Sequence, residues 1–598
     1  MGKKRELLPV EKVDLTSVKY EPQVIEAPHL TGVAFKIFVK VIEAPLIGSL
    51  IISYLRGQNK MNQLLLNTVI PEAPMFKPEY PPQEREELVT EVKEDEEPEK
   101  RVEASLNCLP QYDPNERKKF RYWKIRDYAH AYRSKLVTPS IVAENVIFVL
   151  DEFHRSNQSS PMLISYDFED IRRQAAASTR RFEEGTPKSV LDGIFVAIKD
   201  DINCFPFISK GATTWLSSEK KDAVCVSKLR KCGVIFVGKA NMHELGMGTT
   251  GNNSNYGTTQ NPHDVKRYTG GSSSGPAAIV ASGICSAALG TDGGGSVRIP
   301  SSLCGLVGLK TTFGRTDPGG LVIGSGTVEI VGPLTSSVED SMLIYAAILG
   351  SCPDDRNSLK PGPPCIPNLK LRENLSVLGS LRLGKYSPWF NDVQSTEISN
   401  KCEDMLALLT KERGCEIIEV VIPELVEMSH AHVISIGSEC LCSLTPHLED
   451  GYGKQLNCDT RTSCALFQSF TASDYIVAQK VRRRLMHYHM DIFKKVDVLV
   501  TPTTGTTAPE IHPGALKYGE TDFRVNGYLM RFVAGANLLG LPAISVPVGY
   551  DINGLPIGLQ FIGKPWAEAT ILRLASAVEE LFPTRNKPSV FYDVLKVK

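Results

Sequence analysis

Two glycine- and serine-rich loops carry the residues of this sequence that are best suited to chemistry. The first, GGSSSG at 270–275, leads into Pro276 and an apolar run that predicts a helix. The second, GTDGGGS at 290–296, leads to Pro300, which also suits a helix start. Backbone N–H groups at a helix start and in a run of glycines lack partners, so they can bind an oxyanion. Phosphate binding is the weaker interpretation, because neither loop ends in the G-K-[ST] of a P-loop.

A serine in such a loop needs a base, because its hydroxyl is a weak nucleophile until its proton is removed. None of the 11 histidines falls within 268–312, and His243 is interpreted as a structural residue. Lys199 follows the apolar run IFVAI at 194–198, which predicts a short buried strand. Its side chain either extends to solvent or lies in a site without water, and such a site favours the neutral amine that a base requires.

The two loops and the upstream lysine together resemble the signature of a known family. The block GGSSSG…GTDGGGSVRIP, with a strand-ending lysine before it, is similar to the amidase signature family of Ser–Ser–Lys amide hydrolases. Three further blocks are also typical of that family: TPT at 501–503, GLPAISVPVG at 540–549 and GLPIGLQFIG at 554–563. The resemblance extends over roughly 140–590. With the N-terminal blocks APHLTG, EAPLIGSL and NTVIPEAPMF, the whole chain resembles the plant fatty acid amide hydrolases.

The resemblance implies a role for each residue of the triad. Ser296 matches the nucleophile, Ser272 the bridging serine and Lys199 the general base. A hydroxyl both donates and accepts hydrogen bonds, so Ser272 can pass a proton from Ser296 to Lys199 and later back to the leaving amine. The backbone of the oxyanion hole is matched by Gly293, Gly294, Gly295 and Ser296. Many members have a bulkier residue where this chain has Gly293, a difference that backbone donation tolerates.

Three residues next to the triad are expected to support it. Asp292 and Arg298 flank the glycine loop, and we expect them to brace it through charge-assisted hydrogen bonds. The alternative is that they are two separate surface charges. Ser273 is expected to hold its loop in place and not to react. The resemblance implies no metal ion and no cofactor.

The resemblance also implies a reaction, the hydrolysis of fatty acid amides, chiefly N-acylethanolamines, to free fatty acid and amine through an acyl-enzyme. One alternative keeps the mechanism but changes the substrate to a small soluble amide such as indole-acetamide, or to the charged tRNA of an amidotransferase A subunit. Those relatives generally lack the N-terminal extension. Another alternative is a non-catalytic, amidase-like import receptor. Such receptors lose catalytic residues and gain helical repeats, whereas here the whole triad is present and no repeat is visible.

An apolar segment at 33–55 predicts a contact outside the catalytic region. Three charged residues and a proline divide it into two pieces that are too short to span a bilayer: Lys36, Lys40, Glu43 and Pro45. Two short helices with apolar flanks are typical of a hairpin that lies in a membrane surface. We therefore expect a peripheral or monotopic membrane contact, a homodimer contact or both. The alternative is a helical pair that packs on the protein's own body.

Composition and charge indicate whether a nucleic-acid partner is expected and which cellular compartment is favoured. Lys and Arg number 67 against 68 Asp and Glu, so the net charge of −1 excludes a chain-wide attraction to nucleic acid. The basic stretch KVRRRLMHYH at 480–489 is interpreted as a solvated or acid-paired helix face, and no nucleic-acid partner is expected. The 14 scattered cysteines form no C-x-x-C pair, which favours a reducing compartment. The expected location is intracellular and membrane-associated, at the endoplasmic reticulum, the plasma membrane or both.

The elements that must position these residues indicate an α/β fold. Strands are predicted at 380–384, 416–421 and 496–501, and helices at 397–413, at 570–581 and from Ala472. Alternating strands and helices favour a single large α/β domain, expected to hold a central twisted mixed β-sheet covered by helices on both faces. Three regions are expected: an N-terminal helical extension at 1–70, a Pro-rich and acidic linker or surface region at 71–135, and an amidase-signature catalytic domain at 136–598 with its core motif at 190–315.

Overall fold

The computed structural model describes residues 5–22, 27–61, 67–113, 120–156, 160–324, 326–370 and 378–596. The strands within these residues are β1 (Arg5–Glu6), β2 (Leu30–Thr31), β3 (Thr68–Val69), β4 (Val89–Glu91), β5 (Leu163–Ser165), β6 (Phe195–Lys199), β7 (Ile235–Ala240), β8 (Gln260–Asn261), β9 (Asp264–Tyr268), β10 (Ala287–Asp292), β11 (Val307–Lys310), β12 (Ile330–Thr335), β13 (Cys365–Pro367), β14 (Arg382–Lys385), β15 (Glu416–Glu419), β16 (Val498–Pro502), β17 (Glu520–Thr521), β18 (Ala543–Tyr550) and β19 (Pro556–Gly563). The helices are α1 (Gly32–Ile42), α2 (Ile47–Gln58), α3 (Pro98–Leu106), α4 (Ile125–Arg133), α5 (Pro139–Ser156), α6 (Phe168–Glu183), α7 (Val224–Lys231), α8 (Ser274–Ala281), α9 (Arg298–Leu303), α10 (Val338–Ile348), α11 (Pro353–Leu359), α12 (Ser387–Phe390), α13 (Thr396–Arg413), α14 (Leu425–Glu449), α15 (Cys458–Gln468), α16 (Ala472–Phe493), α17 (Ala515–Tyr518), α18 (Phe523–Met530), α19 (Ala534–Leu538) and α20 (Glu568–Leu581).

Among the described residues, eleven strands form one mixed sheet in the order β15, β14, β16, β19, β18, β11, β12, β10, β6, β7 and β5. The pairs β10/β6 and β6/β7 are parallel, whereas β10/β12, β11/β18 and β18/β19 are antiparallel. Helices flank the sheet, among them α8 against β10, α10 against β12 and α20 against β18. The expected α/β class with a large mixed central sheet is confirmed.

The strands β6 and β10 position the loops of the candidate site. Every residue of both strands is buried, as expected for central strands that are covered on both faces. They run parallel with Leu289 opposite Ile198, so their carboxyl ends meet at the same edge of the sheet. β6 ends at Lys199, which is therefore the last residue of the strand and not the first residue after it. β10 ends at Asp292, directly before the glycine loop.

The elements predicted in the C-terminal half are present, with ends that differ by a few residues. The predicted strands correspond to β14, β15 and β16, and the predicted helices to α13, α16 and α20. α16 begins at Ala472 because Thr471 and Asp474 form a capping box around its first turn. The basic face of α16 is acid-paired, since Arg484 lies 2.8 Å from Glu72 and 2.6 Å from Glu424.

The segment 71–135, expected to be a linker or a surface region, is part of the packed body from β4 onward. β4 pairs with β13, and α3 packs against α10. Arg101 of α3 is only 1% exposed, and its guanidinium donates to the carbonyl oxygens of Ala346 and Ala347 at 3.1 and 3.0 Å. The acidic run around α3 stays at the surface, but the helix turns this arginine and the buried Val102 inward.

The apolar segment at 33–55 forms the two predicted short helices, α1 and α2. Their inner face packs on the body, since Phe35 and Val39 are buried and α1 contacts α15 and α17. Their outer face carries exposed apolar side chains, including Ile37 at 57% and Leu50 at 71%. The hairpin therefore packs on the protein's own body while it keeps an unpaired apolar surface. No helix within the described residues is long and apolar enough to cross a membrane.

Gly238 lies at a bulge of β7, beside the strand that carries Lys199. Its φ of +142° is one that residues with a side chain rarely adopt. A Cβ at this position would lie 2.4 Å from the carbonyl oxygen of Ser165. We expect Gly238→Ala to destabilise the protein by more than about 1 kcal/mol, measured as a lower melting temperature. Gly57→Ala is the control, because a Cβ on Gly57 in α2 meets nothing within 4 Å and should stabilise the helix by about 0.5–1 kcal/mol. Equal melting temperatures for the two variants would contradict the packing described for β7.

Candidate active site

Lys199 is buried at the end of β6, and its amine contacts three oxygen atoms. The side chain is completely buried. Nζ donates to Ser272 Oγ at 2.8 Å and to Thr291 Oγ1 at 2.6 Å. It also lies 2.9 Å from Asp201 Oδ2. An ammonium group has three N–H donors, so each N–H of Lys199 has one oxygen to bind. The alternative of a lysine that extends to solvent is excluded.

Asp201 and Thr291 are partners of the lysine that the sequence did not indicate. The hydroxyl of Thr291 donates to Asp201 Oδ2 at 2.8 Å, so the two side chains form one unit beside Lys199. Asp201 lies two residues after the lysine, just beyond the end of β6. Thr291 precedes the glycine loop, and only the parallel pairing of β6 and β10 brings it to Lys199.

The loop before α8 places Ser272 and Ser273 between the lysine and the glycine loop. Both serines are buried, and the peptide bond between Gly271 and Ser272 is cis. The N–H of Ser273 donates to the carbonyl oxygen of Ser296 at 3.3 Å, a contact that joins the two loops. Ser296 is partly exposed and lines the same cavity as Ser272. The structure therefore brings together all three residues of the predicted triad.

A buried ion pair braces the glycine loop. Arg298 donates from Nε and Nη2 to the two carboxylate oxygens of Asp292, each at 3.0 Å, and neither side chain is exposed. Burial by itself raises the pKa of Asp292, but the Arg298 guanidinium outweighs it and holds that pKa well below its ordinary value. The carboxylate also accepts the N–H of Gly295 at 2.7 Å and of Val297 at 3.1 Å. The alternative of two separate surface charges is excluded.

The same contacts correct one expectation about the oxyanion hole. Because the N–H of Gly295 donates to Asp292, this amide is not available to an oxyanion. Gly295 instead allows the loop to turn, since its φ is +99° and a Cβ would lie 2.5 Å from Val533. Among the described residues, no acceptor is assigned to the N–H groups of Gly293, Gly294 and Ser296, and all three residues line the cavity. These three amides remain as donors for an oxyanion.

Two side chains from the C-terminal half fix the direction of these amides. His432 Nε2 donates to the carbonyl oxygen of Gly293 at 2.8 Å, and Asn537 Nδ2 donates to that of Asp292 at 2.8 Å. The N–H of a trans peptide points away from its carbonyl, so the two bonds set the directions of the Gly294 and Gly293 amides. Burial lowers the pKa of His432 to about 4, so the ring is neutral near pH 7. Sequence reasoning missed both residues, because no motif marks them and they are distant in the chain.

His243 has the structural role that was expected of it. Its backbone N–H donates to the carbonyl oxygen of Ser272 at 3.0 Å. Its ring packs against Gly248, where a Cβ would lie 2.2 Å from the ring. Burial first, and then the charge of Lys199, lower the pKa of His243 to about 4. A neutral ring at this place supports the serine loop by packing.

A cavity of about 1030 Å³ leads to the two serines. Ser272, Gly293, Gly294 and Ser296 line one part of it. Its wall is mostly apolar and includes residues of α1, α2, α14, α15 and α18. A nucleophile at Ser296 would therefore meet a substrate that enters through an apolar channel, next to unpaired amide donors.

The arrangement of a buried lysine, a bridging serine and a serine under glycine amides suits the cleavage of an amide. A family model described as Amidase matches residues 144–572. The chain belongs to the amidase family. This amidase is 64% identical to a fatty acid amide hydrolase of Medicago truncatula and 62% identical to one of Arabidopsis thaliana, in each case over the full length of both chains. It is also similar to a solved structure described as an amidase, at 25% identity and a TM-score of 0.66 over 77% of this chain and 100% of the other.

These matches confirm the resemblance that the sequence motifs indicated, and this amidase is an amide-cleaving hydrolase. The loss of catalytic residues that is expected of a non-enzymatic receptor is not found at the predicted triad. Ser272 and Ser296 line one cavity, and Lys199 is hydrogen-bonded to Ser272 behind it.

Buried histidines make the stability of this amidase depend on pH. The pKa is lowered to about 4 by burial in His243, His263, His430, His432 and His489. In the unfolded chain these rings titrate near 6.5, so between about pH 6.5 and about pH 4 the unfolded state binds more protons. We expect the melting temperature to fall as the pH decreases through this interval, with each histidine contributing up to about 1.4 kcal/mol per pH unit.

His432→Gln isolates one of these contributions, because a glutamine amide can still donate to Gly293 but does not titrate. Its melting temperature should fall less steeply with decreasing pH than that of the wild type. The exposed His487→Gln is the control and should keep the wild-type slope. Identical slopes for wild type and His432→Gln would contradict a buried neutral ring at position 432.

Proposed function

We propose that this amidase hydrolyses fatty acid amides, chiefly N-acylethanolamines, through a Ser–Ser–Lys mechanism with an acyl-enzyme intermediate. The observation that carries the proposal is the single cavity that joins Ser296 to the inner side chains of the N-terminal hairpin. The relatives named fatty acid amide hydrolase support the same class of substrate.

The wall of the cavity favours a long acyl chain over a small soluble amide. Phe38, Ile42 and Ile52 of the hairpin line the cavity together with Phe467 and Met530. Each CH₂ group that moves from water into such surroundings contributes about 0.8 kcal/mol to binding. A small amide such as indole-acetamide would leave most of the channel unused, so we favour the lipid substrate over this alternative.

In the proposed mechanism, Ser296 Oγ attacks the carbonyl carbon of the amide and forms a C–O bond. The proton of Ser296 passes to Ser272 Oγ, while the proton of Ser272 passes to the amine of Lys199. The negative charge on the carbonyl oxygen is stabilised by the amides of Gly293, Gly294 and Ser296. The Asp292–Arg298 pair keeps these donors in place before the substrate arrives.

The collapse of the tetrahedral intermediate breaks the C–N bond. Lys199 returns its proton through Ser272 to the nitrogen of the leaving amine, which leaves poorly without it. Water then attacks the acyl-enzyme, and its proton passes through Ser272 to Lys199 as in the first half of the reaction. The fatty acid is released from Ser296 when the proton returns to Ser296 Oγ. Both halves of the reaction use the hydrogen bond between Lys199 and Ser272.

The outer face of the hairpin is our proposed contact with a membrane surface, with a second subunit or with both. It exposes Val33, Ile37, Leu46, Leu50 and Tyr54, which are exposed by 57% or more. The inner face lines the substrate cavity, so a lipid amide could pass from a membrane to Ser296 without crossing water. We propose an intracellular, membrane-associated protein on this basis, at the endoplasmic reticulum, the plasma membrane or both.

The nucleophile and the substrate class can be tested together with purified protein. We expect kcat/KM to be highest for a long-chain N-acylethanolamine, lower for indole-acetamide and lowest for a short aliphatic amide, because only the first fills the apolar channel. Ser296→Ala should lose amide turnover by about 10³-fold or more and should lose labelling by a fluorophosphonate probe.

Ser443→Ala, at an exposed serine of α14, is the matched control and should keep both activities. Labelling of Ser296→Ala at the wild-type level would contradict the assignment of the nucleophile. A preference for indole-acetamide would contradict the lipid substrate but not the mechanism.

The outer face of the hairpin can be tested by replacing Ile37 and Leu50 with serine in one variant. We expect vesicle binding to weaken by about tenfold or more, or the dimer content to fall, because the variant would bury less apolar surface at the contact. Flotation with liposomes and light scattering measure the two quantities.

Ile552→Ser is the control, since Ile552 is 86% exposed but lies outside the hairpin. Unchanged vesicle binding and unchanged dimer content in the hairpin variant would rule out this surface as a contact.

A further inference from the structure

We propose that Asp201 is a positioning residue that turns the lone pair of Lys199 toward Ser272. The carboxylate does so together with the hydroxyl of Thr291, by occupying the two N–H groups of the neutral amine. This inference rests on the proposed Ser–Ser–Lys function and assigns the direction of its proton transfer.

The hydroxyl of Thr291 has one hydrogen atom to donate. That hydrogen is used in the bond to Asp201 Oδ2 at 2.8 Å. Toward Lys199, Thr291 therefore presents only its oxygen, at 2.6 Å from Nζ. The carboxylate of Asp201 has no hydrogen at all, and it lies 2.9 Å from Nζ. Both groups can only accept from the lysine.

A neutral amine has two N–H groups and one lone pair. With its N–H groups on Thr291 and Asp201, the lone pair of Lys199 faces the third neighbour, the hydroxyl of Ser272 at 2.8 Å. Ser272 is the one member of this group with a hydrogen free to give to the amine. The geometry thus directs the proton from Ser272 to Lys199, and not from Thr291.

Once Lys199 holds three hydrogens, the charge of Asp201 becomes important. The side chain of Lys199 is 0% exposed and that of Asp201 is 8% exposed, so little water screens their attraction. The carboxylate stabilises the ammonium form, which makes the lysine a stronger base for Ser296. The third N–H then donates to Ser272 Oγ, whose own hydrogen can return to the leaving amine.

The other contacts of Asp201 do not suggest a structural role for its carboxylate. Oδ2 is bound to Lys199 and Thr291, whereas Oδ1 is buried without a hydrogen-bond partner among the described residues. A buried, unsatisfied oxygen costs about 1–3 kcal/mol of stability. Folding stability does not explain such an oxygen, and a role in chemistry is one explanation for it.

The neighbouring charged groups have other partners. The carboxylate of Asp200 accepts the amides of Lys210 and Ala212, and burial raises the pKa of Asp200 to about 6. Lys239 on β7 donates to the carbonyl oxygen of Ile202 and to Ser209 Oγ. His243 faces Lys199 with a neutral ring, and Asp292 next to Thr291 is paired with Arg298. Among the described groups, Asp201 is the only carboxylate paired with Lys199.

The test is the pH dependence of Ser296 labelling by a fluorophosphonate, whose fluoride leaves without a proton and so reports the base alone. The rate constant is measured from about pH 5 to about pH 10. Asp201→Asn keeps the shape of the side chain and removes its charge. We expect the acidic limb of the profile to move to lower pH by about one unit or more, and the plateau to fall about tenfold because the lysine is a weaker base. Hydrolysis of the amide should show the same displaced limb in kcat/KM, with KM unchanged.

Two further variants separate positioning from folding. Thr291→Val removes the hydroxyl and should lower the plateau with a smaller displacement of the limb, whereas Thr291→Ser should restore labelling. These variants also carry the test if Asp201→Asn does not fold. Asp264→Asn, at an ion pair with Arg267 near the surface, is the matched control and should keep the wild-type profile.

An unmoved acidic limb in Asp201→Asn overturns the inference, whether the plateau is normal or uniformly lowered. Equal plateaus for Thr291→Val and Thr291→Ser also overturn it. Failure of the proposed function has a different signature, because wild-type labelling would then persist in Ser296→Ala or in Lys199→Ala.

Discussion

The site depends on one fully buried amine that is surrounded by oxygen atoms. Lys199 is completely buried, and its hydrogen-bond partners come from three segments: the chain just after β6, the loop before α8 and the end of β10. A lysine amine in water is solvated and, near neutral pH, almost always protonated. In the protein, the amine of Lys199 has three fixed oxygen neighbours. Whether the amine carries two or three hydrogens therefore decides whether it accepts a hydrogen bond from Ser272 or donates one to it.

The rest of the fold serves to keep these three segments together. Parallel pairing of β6 and β10 brings the carboxyl ends of the two strands to one edge, which is where side chains from different strands can meet. The Asp292–Arg298 pair then fixes the glycine loop, and His432 and Asn537 fix the direction of its peptide groups from outside. A loop of glycines would have little shape of its own; here its shape is determined by charged and polar side chains around it.

The sequence predicted the parts of the site that lie in short motifs. Lys199 at a strand end, the two loops and the Asp292–Arg298 brace follow from residue types and spacing, and so do the helices α13, α16 and α20. His432, Asn537 and Thr291 could not be found in this way, because tertiary packing alone brings them to the loop or to the lysine. Gly295 was assigned to the oxyanion hole because spacing cannot show that a neighbouring carboxylate already binds its N–H. The Pro-rich and acidic composition of 71–135 gave no indication that Arg101 is buried, because its burial depends on carbonyl groups of a helix distant in the sequence.

The hairpin of α1 and α2, near the N-terminus, packs against elements of the C-terminal part of the chain. α1 packs on α15 and α17, and β2 pairs with β17, so these contacts of the N-terminal region are made with residues beyond 457. During synthesis on the ribosome, the hairpin emerges first and must wait for most of the protein before its partners exist. Its apolar faces stay uncovered through that interval, and the wall of the cavity is completed late. The nascent chain therefore contains Lys199, Ser272 and Ser296 before it contains the complete wall of the cavity that the two serines line.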